Sequence, residues 1–137
     1  MSRIAKVESY ILTVPRDEPY LGALRAGEEP NRRGYFVRKG NKTVYPSVDR
    51  SVLVRVETED GVVGWGETYG IVAPKATTAI VEDLLTEFVI GRDPFDASEI
   101  HDDLYNLMRV RGYGGGFYLD ALGAVDIALW DAAGRTA

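Results

Sequence analysis

The chain has 137 residues, a formal net charge of −5, a 45% hydrophobic share and no cysteine. These values predict a single globular domain and exclude disulfides, thiolate metal sites and cysteine nucleophiles. Without a run of about 18 apolar residues or an N-terminal segment typical of a secretory signal, we expect a cytoplasmic protein that neither spans a membrane nor is exported.

The first elements are a strand and a long loop. Residues 4–14 mix β-branched and aromatic side chains and are followed by Pro15, which predicts a strand that ends there. Residues 16–47 are polar and contain repeated glycine and proline, so they predict a loop with a short strand at 35–37. Loops of this length inside compact domains are often lids or binding loops.

The basic charge of the chain is concentrated in and just after this loop. Residues 25–50 contain seven basic and three acidic side chains, a net +4 that leaves −9 for the remainder. An acidic chain with one basic segment lacks the many cationic contacts on which nucleic-acid binding depends. The segment can attract a small anion such as a carboxylate, or it can be a solvated surface loop.

A β-hairpin is the clearest local pattern. Valines alternate with other residues over 52–57, and Asp60 and Gly61 separate this run from a second run at 62–67. An Asp-Gly pair in this position predicts a type I′ turn.

The second hairpin strand presents two different faces. Gly64 and Gly66 share one face, where another backbone or a helix can approach closely. Trp65 and Glu67 share the other. Glu67 is either a hydrogen-bonded structural acid or a residue of a site, since a loop begins just beyond it.

Three helices are predicted over residues 74–135. The first begins at Pro74 and ends at Gly91, and its apolar positions have helical spacing. Those positions are Ile80, Val81, Leu84, Leu85 and Phe88. The second opens with a D-x-x-E capping box at 96–99. The third, at about 118–133, is apolar on most sides and therefore predicts burial between partners.

Patterns typical of catalysis are few. The one histidine, His101, lies away from the apolar stripe of the second helix and is expected to be a solvated surface residue. No H-E-x-x-H spacing is present. The glycine cluster at 112–116 follows a helix, whereas a phosphate cradle follows a strand, so it predicts a flexible connection.

Strands first and helices after favour an α+β fold. The motifs SVLVRVETEDGVVGWGE, IGRDP and LDALGAVDIALWDAAGR, in this order, resemble the N-terminal capping domain of the enolase superfamily. The closest resemblance is to the mandelate racemase/muconate lactonizing enzyme branch, and it is weakest in residues 16–47. It implies a three-stranded antiparallel sheet followed by a helical bundle. Residues 1–137 would form one capping domain, with sheet and loop at 1–70 and helices at 74–135.

The resemblance also implies where the chemistry resides. In the family, a C-terminal (β/α) barrel carries the Mg²⁺ ligands and the bases that remove a proton next to a carboxylate. This sequence does not contain that barrel, so we assign it no catalytic or metal-binding residue, expect Mg²⁺ in the barrel, and expect the chain alone to be inactive. The cap supplies two loops that close over the substrate. They imply substrate-binding residues Tyr20, Arg25, Arg32, Arg33, Tyr45, Glu67, Thr68, Tyr69 and Gly70.

These implications lead to a first hypothesis and an alternative. The basic loop and its tyrosines favour a sugar-acid substrate and dehydration, with racemisation or cycloisomerisation next. The expected partners are the barrel domain, the carboxylate substrate and, by family habit, further copies of the chain. The alternative is a stand-alone α+β module that binds a small anion or docks on a protein without catalysis. Exposed apolar surface on the isolated chain would favour the first hypothesis.

Overall fold

All strands precede all helices in the computed structural model, which describes residues 2–137. The strands are β1 (Ile4–Val14), β2 (Tyr35–Val37), β3 (Val44–Pro46), β4 (Asp49–Thr58) and β5 (Val63–Tyr69). The α-helices are α1 (Pro74–Ala79), α2 (Thr86–Val89), α3 (Ala97–Arg109) and α4 (Gly116–Thr136). A π-helical segment, Ile80–Leu85, joins α1 to α2, and a 3₁₀ turn, Pro94–Asp96, leads into α3. The α+β prediction is confirmed.

The main sheet has the strand order β1-β4-β5 and is antiparallel throughout. The valines of β4 at 52, 54 and 56 are fully buried, as their alternation predicts, and Val54 and Val56 belong to the core formed with the helices. β2 and β3 form a separate two-stranded ribbon within the long loop. The core therefore lies between the inner face of the sheet and the helical layer.

Helix α4 packs directly on the backbone of β5. A Cβ added to Gly66 would clash with the carbonyl oxygen of Ala124, and one added to Gly64 would clash with that of Ala128. Because neither residue has a side chain and α4 presents alanines there, the helix reaches the strand closely. The predicted glycine face is confirmed.

The type I′ turn predicted for the hairpin is wrong. Only Gly61 has a positive φ, of 87°, whereas a type I′ turn needs positive φ at both central residues. The Gly61 N–H donates to the Thr58 carbonyl, and the Thr58 N–H donates to the Val62 carbonyl. The connection is thus a three-residue loop that ends in a left-handed glycine.

The apolar stripe predicted for the first helix shifts at its end. Phe88 is 46% exposed, whereas Val89 is fully buried. The π-helical segment widens the turn, so Thr77, Val81 and Leu85, spaced by four residues, stay on the buried face with Val89. A regular α-helix would rotate such positions away from the core.

The predicted capping box at 96–99 is also wrong. The Asp96 side chain makes no capping hydrogen bond, and Asp93 instead accepts one from the Phe95 N–H. Helix α4 is longer than predicted and is not buried all round. Ile127 and Trp130 are 50% and 56% exposed. No helix among residues 2–137 combines the length and apolar character needed to cross a membrane.

Candidate functional site

The two segments that the sequence predicts as specificity loops meet at one end of the sheet. An open cleft of about 540 Å³ lies there, at the ends of β1 and β5 and the start of β4. We call it the first cleft. Of the nine predicted substrate-binding residues, it contains Tyr20, Glu67, Thr68, Tyr69 and Gly70.

Pairing of β4 with β5 fixes the geometry of the first cleft. Ser51 lies opposite Tyr69 in the antiparallel register. The Ser51 hydroxyl lies 2.6 Å from a Glu67 carboxylate oxygen and 3.3 Å from the Thr68 carbonyl. Gly70 is buried against the backbone of Ser51, where an added Cβ would lie 2.7 Å from the carbonyl carbon. Glu67 is exposed at the rim, and its carboxylate is oriented by a neutral hydroxyl.

Tyr20 is held in the first cleft by charged neighbours. The Arg16 guanidinium lies 4.5 Å from the centre of the Tyr20 ring and 3.0 Å from an Asp49 carboxylate oxygen. Hydrogen bonding to Asp49 raises the pKa of the Tyr20 phenol and lowers the pKa of the Asp49 carboxyl. At neutral pH the phenol is therefore protonated and the carboxylate is ionised.

Tyr45 packs against Tyr20 and does not itself line the first cleft. Their rings stack with centres 6.2 Å apart, and the Asn41 amide donates to the Tyr45 hydroxyl at 2.9 Å. Tyr45 also lies 6.2 Å from the ring of the buried Phe36. Tyr45 therefore lies between the core of the loop and Tyr20, and it positions the Tyr20 ring.

A buried ion pair orders the long loop, and sequence reasoning missed it. Arg38 is only 1% exposed, lies 2.8 Å from a Glu28 carboxylate oxygen, and donates to the carbonyls of Tyr20 and Gly22. Backbone N–H groups of Arg25 and Lys39 also donate to Glu28, and together with Arg38 they hold the pKa of Glu28 at about 2. We call this arrangement the Glu28–Arg38 clasp.

The clasp changes the interpretation of the basic segment. The predicted net charge of +4 already sets Glu28 against Arg38, and the structure shows that these two charges neutralise each other inside the loop. The two residues are ten positions apart in a segment without periodicity, so no sequence pattern links them. The pair leaves the net charge of the segment unchanged, but the buried Arg38 offers no cation to an anionic ligand.

The three predicted arginines separate in space. Arg25 and Arg32 are exposed and line neither the first cleft nor its neighbour. Arg33 lines a second cleft, of about 550 Å³, on the other side of the β4 start. Arg50 lines both clefts, a position that its place in the basic segment of the sequence does not reveal. Its position at the start of a strand after a long loop is the signal that could have identified it.

No metal centre is found in the described part of the chain. Residues 2–137 bring no three histidine, cysteine, aspartate or glutamate side chains together where a metal ion could bind. His101 on α3 lies 3.4 Å from the neighbouring Asp102 and lines neither cleft. The clefts offer hydroxyls, cations and two carboxylates, of which Asp49 is paired with Arg16 and Glu67 is exposed at the rim, a set that suits hydrogen bonding to a polyol acid.

Comparison with protein families gives one match that covers most of the chain. The profile of the mandelate racemase / muconate lactonizing enzyme N-terminal domain matches residues 40–137. Among curated proteins, D-galactarolactone cycloisomerase of Agrobacterium fabrum is 44% identical over 84 residues, which are 61% of this chain and 21% of that protein. D-galactonate dehydratase of Xanthomonas euvesicatoria is 33% identical over 94 residues, 69% of this chain and 24% of that protein.

Solved structures match nearly the whole chain. A member of the enolase superfamily from Agrobacterium tumefaciens superposes with a TM-score of 0.93 at 67% identity, covering 98% of this chain and 35% of that one. A mandelate racemase/muconate lactonizing protein from Paracoccus denitrificans, complexed with magnesium, has a TM-score of 0.68 at 26% identity and covers 99% and 28%. The matches thus span about a quarter of the curated relatives and a third of these structures.

Proposed function

Because the chain belongs to the mandelate racemase/muconate lactonizing enzyme family, we propose that it is the substrate-specificity cap of a Mg²⁺-dependent enzyme. That enzyme would remove the proton next to the carboxylate of a sugar acid. Dehydration and cycloisomerisation are the two outcomes we propose, since the relatives include D-galactonate dehydratases and D-galactarolactone cycloisomerase. The product distinguishes them.

The first cleft is the observation that carries this proposal. It joins Tyr20 from the long loop to residues 67–70 at the end of β5, which are the two segments assigned to substrate contact. A protonated Tyr20 phenol and the hydroxyls of Ser51 and Tyr69 offer hydrogen bonds to a polyol. Few, well-placed polar groups of this kind fix orientation and specificity in small-molecule sites.

We assign binding rather than proton transfer to the residues of this chain. Residues 2–137 bring no three metal-ligating side chains together, and we assign no chemical step to them. Magnesium and the bases belong to the proposed barrel. The part of the cap is to bind the hydroxyl groups of the substrate, to orient it and to exclude water.

The exposed side of α4 is the surface we propose for docking of the barrel. Ile127 and Trp130 are large, apolar and half exposed on the helix that packs against β5. The relatives are about four to five times as long as the segments matched here, so they contain a further domain. We also propose, from the family habit alone, that the complete enzyme is a homo-oligomer.

Turnover of sugar acids by the full-length protein tests the proposal. D-galactonate and D-galactarolactone are each incubated with the protein in Mg²⁺ and again in EDTA, and substrate loss is followed by mass spectrometry. We expect Mg²⁺-dependent conversion of at least one of them and no conversion by residues 1–137 alone. Conversion by the isolated chain, or no conversion of any sugar acid by the full-length protein with Mg²⁺, would contradict it.

A further inference from the structure

The second cleft has the properties of an oxyanion site. Arg33, Arg50 and Lys75 all line it, and no aspartate or glutamate does. None of the three makes a salt bridge with any part of the chain that the structure describes. Two cations of the loop do have partners within the chain, Arg16 with Asp49 and Arg38 with Glu28. Three unpaired cations around one concave surface of about 550 Å³ leave the positive charge to be neutralised by a ligand.

Arg50 is held rigidly in this cleft. Its guanidinium lies 4.8 Å from the centre of the Tyr35 ring, and one nitrogen donates to the Tyr35 hydroxyl at 2.7 Å. Another nitrogen lies 3.4 Å from the Arg33 carbonyl. A guanidinium fixed in this way loses little rotamer freedom when it binds an anion.

The Tyr35 hydroxyl has an unused donor. It accepts hydrogen bonds from Arg50 and, at 2.9 Å, from the Ala73 N–H. A phenolic oxygen accepts at two lone pairs and donates one proton, so both of its acceptor positions are filled and the proton remains. No hydrogen bond donated by the Tyr35 hydroxyl is found within residues 2–137. An anionic oxygen in the cleft would accept that proton while it pairs with the cations.

We propose that the second cleft binds a carboxylate at the far end of the substrate, so that the enzyme prefers a sugar diacid to the corresponding monoacid. The inference rests on the proposed function, in which the other carboxylate is held at the metal of the barrel. Arg33 and Lys75 supply exposed charges, while Arg50 and Tyr35 supply donors held by hydrogen bonds. A terminal alcohol in the same place would leave these cations without a counter-charge.

Two ligands that differ only in this group test the idea. Galactarate keeps the hydroxyl configuration of D-galactonate and replaces its terminal alcohol by a carboxylate. Dissociation constants of both are measured by titration calorimetry on the full-length protein with Ca²⁺ in place of Mg²⁺, so that a metal ion with oxygen ligands still holds the other carboxylate. We expect galactarate to bind at least about tenfold more tightly than D-galactonate, the size of one charge-assisted contact.

Arg32 provides a matched control for Arg33. The two are adjacent, exposed and equally charged, but only Arg33 lines the second cleft. Arg33→Ala should weaken galactarate binding about tenfold and leave D-galactonate binding within about twofold. Lys75→Gln should act in the same direction, and Arg32→Ala should change neither constant by more than about twofold. These are surface side chains, so the variants are expected to fold.

The outcomes separate this inference from the proposed function. Equal binding of the two ligands, no binding of galactarate, or equal losses in Arg32→Ala and Arg33→Ala would overturn the inference even if sugar acids are turned over. Arg33-dependent binding of galactarate in a protein that converts no sugar acid would support the second cleft and contradict the proposed chemistry.

Discussion

Glu67 is the carboxylate of the first cleft to which we assign substrate binding, as a proposal, and no part in the chemistry. It is exposed at the rim of the first cleft and accepts a hydrogen bond from Ser51 at 2.6 Å. We expect Glu67→Gln in the full-length protein to change KM by about two- to tenfold, the size of one lost hydrogen bond. We expect kcat to stay within about threefold, measured by steady-state kinetics with Mg²⁺.

A general acid would behave differently. Its removal commonly lowers the rate by about 10² to 10⁴. Ser51→Ala is the companion variant, because it removes the partner of Glu67 and leaves the carboxylate in place. A hundredfold loss of kcat in Glu67→Gln alone would assign Glu67 to the chemistry.

The Glu28–Arg38 clasp makes the order of the long loop sensitive to acid. The pKa of Glu28 is about 2 in the folded protein, below its ordinary 4.5, so its ionised form stabilises the loop above about pH 5. That contribution is lost as the pH falls from 5 through 2. Amide protection of residues 25 and 39, measured by hydrogen exchange, should fall in this window.

Exposed Glu29 is the control for the clasp. Glu28→Gln should lower the protection of these amides at pH 7 and flatten its dependence on pH, whereas Glu29→Gln should change neither. Equal effects of the two substitutions would mean that the buried ion pair does not order the loop.

At the scale of elements, the π-helical segment decides which residue of the first helical run enters the core. Val89 is fully buried and Phe88 is 46% exposed. Val89→Ala should lower the free energy of unfolding by roughly 2 kcal/mol, as expected for a core truncation. Phe88→Ala should cost less, although it removes the larger side chain. Thermal unfolding of the two variants compares their losses of stability. A larger loss in Phe88→Ala than in Val89→Ala would indicate a regular α-helical register.

The contact between α4 and β5 requires glycine on the strand. Gly66→Ala would place a methyl group against the Ala124 carbonyl and the Ala128 nitrogen. Both are backbone groups, which cannot move away by a change of rotamer. Overpacking of this kind costs about 1–3 kcal/mol, seen as a lower melting temperature. Gly134→Ala, near the end of α4 and free of close neighbours, should be neutral or slightly stabilising. Equal melting temperatures for the two variants would show that α4 does not pack closely on the backbone of β5.

Sequence patterns predicted some of these elements fully and others only in part. β1 and the hairpin strands follow from alternation and turn residues, and Gly64 and Gly66 follow from strand geometry. The turn type could not be predicted from the Asp-Gly pair, because it depends on which residues form the hydrogen bonds across the turn that contains Gly61. The π-helical segment could not be predicted either. Regular α-helical spacing places Phe88 on the apolar face, and only the packing of the folded chain shows that Val89 is buried instead.

The candidate site was predictable only in part. Residues 67–70 follow from the end of a strand, and their place in the first cleft agrees with the family resemblance. Arg50 and the second cleft were missed because their neighbours, Arg33 and Lys75, come from separate parts of the chain. Such a cluster becomes visible only after the loop has folded back on the sheet.

For the whole molecule, the apolar side of α4 predicts that the domain by itself self-associates. Ile127 and Trp130 expose half of their surface on one helix. Analytical ultracentrifugation of residues 1–137 should show concentration-dependent association, reduced by the double variant Ile127→Ser, Trp130→Ser. Monomeric behaviour at all concentrations would favour the alternative of a stand-alone module.

The most direct test of the central claim, that this domain acts as the cap of a larger enzyme, is the intact mass of the polypeptide in its source cells. An antibody raised against residues 1–137 would isolate it for mass spectrometry. We expect a mass of roughly 40 kDa, since a barrel adds about 250 residues. A mass of 15.1 kDa, that of these residues alone, would contradict the claim.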